Sequence, residues 1–223
     1  MIDGRQSDTF QRDREKMVEF QLRDRGIRDS RVLEAMAQVP RHLFVPASRQ
    51  FESYEDHPIL IDCGQTISQP YIVAYMLELL AVQPTDLVLE VGTGSGYQTA
   101  LLVRLAARVY SIERHAELAD HAVALLKELH VTNVEIVVGD GTRGLPERSP
   151  FDAIMVSAAA PGLPQHLVNQ LRAGGRMVIP VGAPDAQYLQ RVRMESDGTI
   201  EVSKLDACRF VPLIGEHGYT GEP

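Results

Sequence analysis

Cysteine is scarce in this chain: Cys63 and Cys208 are far apart, with no Cys-x-x-Cys and no neighbouring ligand pair. That excludes a disulfide framework and a zinc site of the usual spacing, so no metal is expected and a reducing, cytoplasmic location is. Basic charge is also short. Lys and Arg number 22 against 30 Asp and Glu, giving a net charge of -8. Nucleic-acid affinity rests largely on cations that neutralise phosphates, so neither DNA nor RNA is an expected partner. Long apolar runs are missing as well. The longest, residues 71 to 82, is too short to cross a bilayer and carries Glu78, and the opening MIDGRQSDTFQRDREK contains nothing like a signal peptide. No membrane association is expected. His115 and His121 stand six apart on a predicted helix, a spacing that does not share one face, and they read as solvent-facing or locally bonded.

What is present is a chain of 223 residues with 44% hydrophobic content, enough to bury a full core. No repeat, low-complexity tract or Pro/Ser-rich linker splits it, so one domain over 1 to 223, acting as a monomer, is the expectation. A helix is predicted from about Arg12 to Arg25 with Gly26 as its stop, after a frayed stretch at 1 to 11. A second starts after Asp29 or Ser30 and ends at Pro40, and 41 to 63 reads as an irregular connector. From Pro70 the helical period returns through Ile72, Val73, Met76, Leu79 and Leu80. Strands are then predicted at 87 to 92, 108 to 113, 134 to 140, 151 to 158 and 176 to 182, with helices near 96 to 107, 115 to 130 and 163 to 171. This alternation predicts an α/β fold: a doubly wound, mostly parallel sheet covered on both faces. Asp197 and Gly198 sit between two alternating runs, which predicts a C-terminal antiparallel hairpin. Three regions follow: N-terminal helices and a substrate loop (1 to 80), a cofactor-binding core (81 to 186), and the hairpin with its tail (187 to 223).

VLEVGTGSGY, residues 88 to 97, reads as a strand running through a glycine turn into a helix, a geometry that holds nucleoside cofactors. Alone it does not say which one. Glu90 precedes the turn, Glu113 ends the second strand and Asp140 the third, so three acids gather at the carboxyl edge of the sheet. That field repels a pyrophosphate and attracts a sulfonium and an ammonium group. The glycines run G-x-G-x-G, not the dinucleotide G-x-G-x-x-G, and the two observations together point to S-adenosyl-L-methionine over NAD. The candidate cofactor set is Glu90, Gly92, Gly94, Gly96, Glu113, Asp140 and Gly141. In it Gly92 and Gly94 permit close backbone approach, Glu113 accepts from ribose hydroxyls, and Asp140 with Gly141 lies on the adenine side. Each has a plainer alternative: Gly94 and Gly96 as turn formers, Glu113 as a solvated strand end, Asp140-Gly141 as a turn pair.

GQTISQP, residues 64 to 70, supplies a hydroxyl, Ser68, just before a helix start. Ser68 can serve as a simple helix cap, as a functional hydroxyl, or as both. With PRHLFVP (40 to 46), GDGTRG (139 to 144), PFDAIMVSAAAP (150 to 161), GGRMVIPVG (174 to 182) and RFVPLIG (209 to 215), these motifs make the chain resemble the protein-L-isoaspartate O-methyltransferases over about residues 15 to 215. The resemblance implies a Rossmann-like class I methyltransferase fold. It also implies methyl transfer from S-adenosyl-L-methionine to the α-carboxyl of L-isoaspartyl residues in damaged proteins and peptides. It further implies Ser68 as the catalytic hydroxyl, with Thr66 and Val211 joining Ser68 at the substrate. No base of the kind that activates a nucleophile stands beside Ser68, so a covalent intermediate is not expected. Two rivals remain at this level: a small-molecule methyltransferase, and a non-catalytic cofactor-binding module.

Overall fold

The computed structural model describes residues 4–221. The frayed stretch expected at 1 to 11 falls partly on residues 1–3, outside the described residues. From Gly4 the chain is instead helical: α1 (Gly4–Lys16) continues into a π-helical stretch, Met17–Arg23. Phe10 explains part of this, because its ring stacks on His42 with centroids 4.2 Å apart. The helix α2 (Ser30–Gln38) starts on Asp29, whose side chain accepts from the Arg31 amide. Residues 41 to 63 are more ordered than their sequence suggested. They hold 3-10 turns at Arg41–Phe44, Ala47–Glu52 and Asp62–Gly64, and the short strand β1 (Ile59–Leu60). It pairs antiparallel with β2 (Thr66–Ile67), so the centre of GQTISQP is one arm of a small hairpin. Helix α3 (Pro70–Leu80) follows at once.

The core alternates as the periodicity predicts: β3 (Leu87–Val91), α4 (Tyr97–Leu105), β4 (Arg108–Glu113), α5 (Ala116–Glu128), β5 (Val134–Val138) and β6 (Phe151–Val156). Then come α6 (Gln165–Val168), β7 (Leu171–Ala183), β8 (Ala186–Met194) and β9 (Ile200–Cys208). The helix expected at 163 to 171 shrinks to one turn because the chain is drawn into β7, where Leu171 already pairs with Phe151. The seven strands run β5-β4-β3-β6-β7-β8-β9. The first five are parallel, and β8 and β9 close the sheet as antiparallel strands around the Asp197-Gly198 turn.

Alternating side chains of the strands feed two cores, as period-two geometry requires. Val88, Ala153, Met155 and Val178 join α2 to α5 on one face. Leu89, Ile154, Val156, Met177 and Ile179 face the other, which α6, Leu145 and the tail residue Leu213 cover. Arg176 of β7 fastens the carboxyl end of α3 to the sheet. Its guanidinium donates to the carbonyls of Leu80 (2.7 Å), Ala81 (2.8 Å) and Asp152 (3.1 Å), and pairs with buried Asp86. Those of Leu80 and Ala81 are the carbonyls a helix end leaves unpaired. Arg176→Leu should therefore cost about 3 kcal/mol, since it strands both those carbonyls and a buried carboxylate. Urea unfolding monitored by circular dichroism measures the loss, and a change below about 1 kcal/mol would mean that the clamp is not holding α3.

Candidate functional site

The strand order reverses between β3 and β6, and at their carboxyl ends opens a cleft. Such a switch point is where open α/β sheets take their ligands. Gly92 and Gly94 line it with positive φ (93° and 54°), which L side chains rarely adopt, so the turn exposes backbone rather than Cβ atoms. Glu113, buried and part of the lining, accepts from the amides of Gly94 (2.8 Å) and His115 (3.0 Å). One carboxylate thus ties the glycine turn to the end of β4 and keeps further acceptor capacity. At Gly141 a Cβ would lie 2.6 Å from a Val91 methyl, so a larger residue there would push into the cleft wall.

The other members of the predicted set lie beside or behind the lining. Gly96 caps α4 in the left-handed region (φ 84°), and a Cβ there would approach Ala122 at 3.1 Å, so it serves the α4–α5 contact. Asp140 does not line the cleft. It accepts from the Thr142 hydroxyl (2.6 Å) and amide and from the Glu216 amide (2.8 Å), which fastens the C-terminal tail over the cleft's far wall. Burial pushes its pKa up, yet these hydrogen bonds outweigh burial and hold it below the usual aspartate value. Glu90 is completely buried behind the turn. Its carboxylate accepts from Thr99 and Ser111 (2.6 Å each) and from Gln98 (3.2 Å). Desolvation outweighs these donors and raises its pKa to about 7. The sequence reading treated Glu90 as a full negative charge. Burial leaves it near half-ionised at neutral pH.

Gln98 was not anticipated. Its amide donates to Ser157 at the end of β6 (2.7 Å) as well as to Glu90, so it links the buried acid to the cleft surface. Ser157 was within reach of sequence reasoning, since it lies next to the end of the strand predicted at 151 to 158; Gln98 carried no comparable signal.

Ser68 stands on the wall shared by this cleft and an adjoining open groove, and Thr66, Ser157 and Val211 line both. The cap reading of Ser68 does not hold. Gln69 is the N-cap residue of α3 and makes no side-chain cap. The Tyr71 amide, in the first turn of α3, is instead taken by Asp56 (3.1 Å), fifteen residues away. Among the described residues the Ser68 hydroxyl makes no hydrogen bond, whereas its carbonyl accepts from buried Arg41 (2.8 Å). Across the groove Val211 is held through its carbonyl by the Ala159 amide (2.8 Å), in a segment whose Pro212 bridges Ala159 in parallel. The cleft and groove together can hold a nucleoside cofactor with its reactive end beside an extended peptide. No trio of His, Cys, Asp or Glu among the described residues could hold a metal ion.

The chain is similar throughout to known proteins. Residues 12–218 match the model of a family described as protein-L-isoaspartate(D-aspartate) O-methyltransferase. A protein-L-isoaspartate O-methyltransferase of Koribacter versatilis is 56% identical over 211 residues, covering 95% of either chain. Another, from Methanoculleus marisnigri, is 53% identical over 97% of this chain and 98% of its own. Among solved structures, a Plasmodium falciparum chain assigned as a protein-L-isoaspartate O-methyltransferase, in complex with S-adenosyl-L-homocysteine, superposes with a TM-score of 0.78. It is 28% identical and covers 89% of this chain and 97% of its own.

The buried acid gives a stability signature. An unfolded glutamate ionises near 4.5 and Glu90 near 7, so the folded state keeps a proton that the unfolded chain has lost between those values. The stability owed to Glu90 is therefore complete below about pH 4.5 and falls away as the pH rises through about 7. Glu90→Gln, whose amide the two hydroxyls can meet by rotation, should lack this decline. In the ligand-free protein at pH 8 it should exceed the wild type by roughly 2–3 kcal/mol. Urea titrations at intervals across that range decide the point, and parallel curves for the two proteins would refute the shift.

Proposed function

The chain belongs to the protein-L-isoaspartate(D-aspartate) O-methyltransferase family, and from that membership we propose how its own residues carry the reaction. The enzyme moves a methyl group from S-adenosyl-L-methionine to the free α-carboxyl of an L-isoaspartyl residue in a damaged protein or peptide. The ester closes to a succinimide, which can reopen to a normal aspartyl bond. When bound, S-adenosyl-L-methionine supplies an electrophilic methyl on a positively charged sulfur.

The residues of the cleft fit that cofactor. Gly92 and Gly94 leave backbone where a nucleoside must approach closely, and Glu113 keeps acceptor positions for ribose hydroxyls. Gly141 clears the adenine side, while Asp140 shapes that wall by anchoring the tail. Glu90 contributes through Gln98 and Ser157 rather than by contact, and a neighbouring cation favours its ionised form. Gly96 contributes through the set of α4 against α5.

An α-carboxyl with a pKa of about 3.5 is already ionised at neutral pH, so the protein need not remove a proton. Its task is to aim and desolvate. The observation that carries the assignment is the Ser68 hydroxyl, uncommitted on the wall common to cleft and groove. Ser68 donates a hydrogen bond to the attacking carboxylate and forms no covalent bond to it. Thr66, on the same wall, joins Ser68 at the substrate, and the backbone at Val211 pairs with the peptide. The reading includes a monomer in the cytoplasm that does not use nucleic acid. The net charge of -8 supports the part on nucleic acid and the two unpaired cysteines the part on a reducing compartment; no helix among the described residues is long and apolar enough to cross a membrane.

With labelled S-adenosyl-L-methionine, an L-isoaspartyl peptide should accept methyl groups and its aspartyl twin should not. Ser68→Ala should lower turnover by about 10- to 100-fold, the worth of a hydrogen bond to a charged group, with cofactor affinity by calorimetry changed only a few-fold. Loss of cofactor binding in that variant would move Ser68 from the substrate to the cofactor pocket. Equal labelling of both peptides would remove the isoaspartyl specificity.

A further inference from the structure

Arg41, in the first 3-10 turn after α2, is the largest fully buried side chain among the described residues, with no solvent exposure. Among the described residues no carboxylate pairs with it. Its Nε donates to the Ser53 carbonyl (2.7 Å) and one Nη to the Ser68 carbonyl (2.8 Å), and the guanidinium lies 4.8 Å from the centre of the Tyr97 ring. The remaining Nη, also buried, has no hydrogen-bond partner among the described residues. Desolvation lowers its pKa to about 10, so the group stays charged at neutral pH despite the cost of burying it. Such a residue is poorly chosen for stability alone, because packed apolar side chains commonly do as well as buried charge. Its contacts explain it better. Tyr97 begins α4 directly after the glycine turn and lines the cleft, and Ser68 ends the β1–β2 hairpin on the same wall.

We propose that Arg41 is a positioning residue for methyl transfer: by gripping the Ser68 carbonyl against Tyr97 it aims the Ser68 hydroxyl at the substrate carboxylate. The inference rests on the role given to Ser68 above. A carbonyl fixed by a charged donor fixes the peptide plane that follows Ser68 and so narrows the arc through which the Cα–Cβ bond can turn, which leaves the side-chain rotamer fewer directions in which to present the hydroxyl. Lysine carries its three N–H donors on one compact ammonium and cannot grip the Ser53 and Ser68 carbonyls with the geometry of a guanidinium fork.

The test compares Arg41→Lys, Ser68→Ala and the double variant for kcat and KM on an L-isoaspartyl peptide, with cofactor affinity by calorimetry. The expected result for Arg41→Lys is a fall in kcat/KM of about 10- to 100-fold, carried mainly by kcat, with cofactor affinity within about threefold. The double variant should be no slower than Ser68→Ala by more than about twofold, because both changes remove one interaction. Losses that multiply in the double variant overturn the proposal. Ser68→Ala slow with Arg41→Lys near wild type overturns it alone, whereas Ser68→Ala near wild type overturns the Ser68 assignment and this inference with it. Where lysine weakens the fold, Arg41→Ala assayed with and without methylguanidinium decides the same question. Recovered turnover at unchanged cofactor affinity supports the proposal, and no recovery overturns it.

Discussion

The site depends on one topological constraint: the sheet reverses its strand order between β3 and β6. Chains leaving these two strands must turn in opposite directions, so no connection crosses the gap at their carboxyl ends. The cleft is what that gap leaves. Everything proposed for the cofactor hangs on short segments that leave the strands at this edge, namely the glycine turn after β3, Glu113 at the end of β4 and Gly141 after β5. The cofactor half of the site is therefore local in sequence. Each residue lies within a few positions of a strand end, and its conformation follows from glycine's freedom or from the strand beside it.

That locality is why this half was legible beforehand. The parallel strands, the C-terminal hairpin and the edge acids could be found from period-two and period-3.6 patterns and from glycine placement. The errors came where tertiary contacts overrode local signals. The helix expected at 163 to 171 became one turn because β7 recruits Leu171, and the irregular 41 to 63 contains a strand only because β2 is there to pair with it. Glu90 exposes a subtler limit. Its identity as a carboxylate was plain, but its charge is set by complete burial and three donors, none of which a sequence pattern weighs.

The substrate half is organised differently. Gly64 to Pro70 has little regular structure of its own, with only two residues in a strand. It is held by side chains remote in sequence: Asp56 takes the Tyr71 amide, and Arg41 takes the Ser68 carbonyl from 27 residues away. Such partners leave no periodicity to detect. The motif PRHLFVP announced that something was there without saying what its arginine does.

The division of labour between these remote partners bears on how Ser68 can act. A serine just before a helix would ordinarily spend its hydroxyl on the first free amides of that helix. Here Asp56 meets that need, and Asp56 is in turn held by Arg25 and Gln69. Meanwhile Arg41 satisfies the Ser68 carbonyl. With its backbone obligations met elsewhere, the hydroxyl can point into the cleft without leaving a helix end unpaired. A reaction whose nucleophile arrives already ionised asks little more of a protein than a donor so placed, beside a cofactor pocket built from backbone. The arginine and aspartate that free the serine therefore belong to the design of the site as much as the glycines do, although on the proposed reading neither touches a reacting atom.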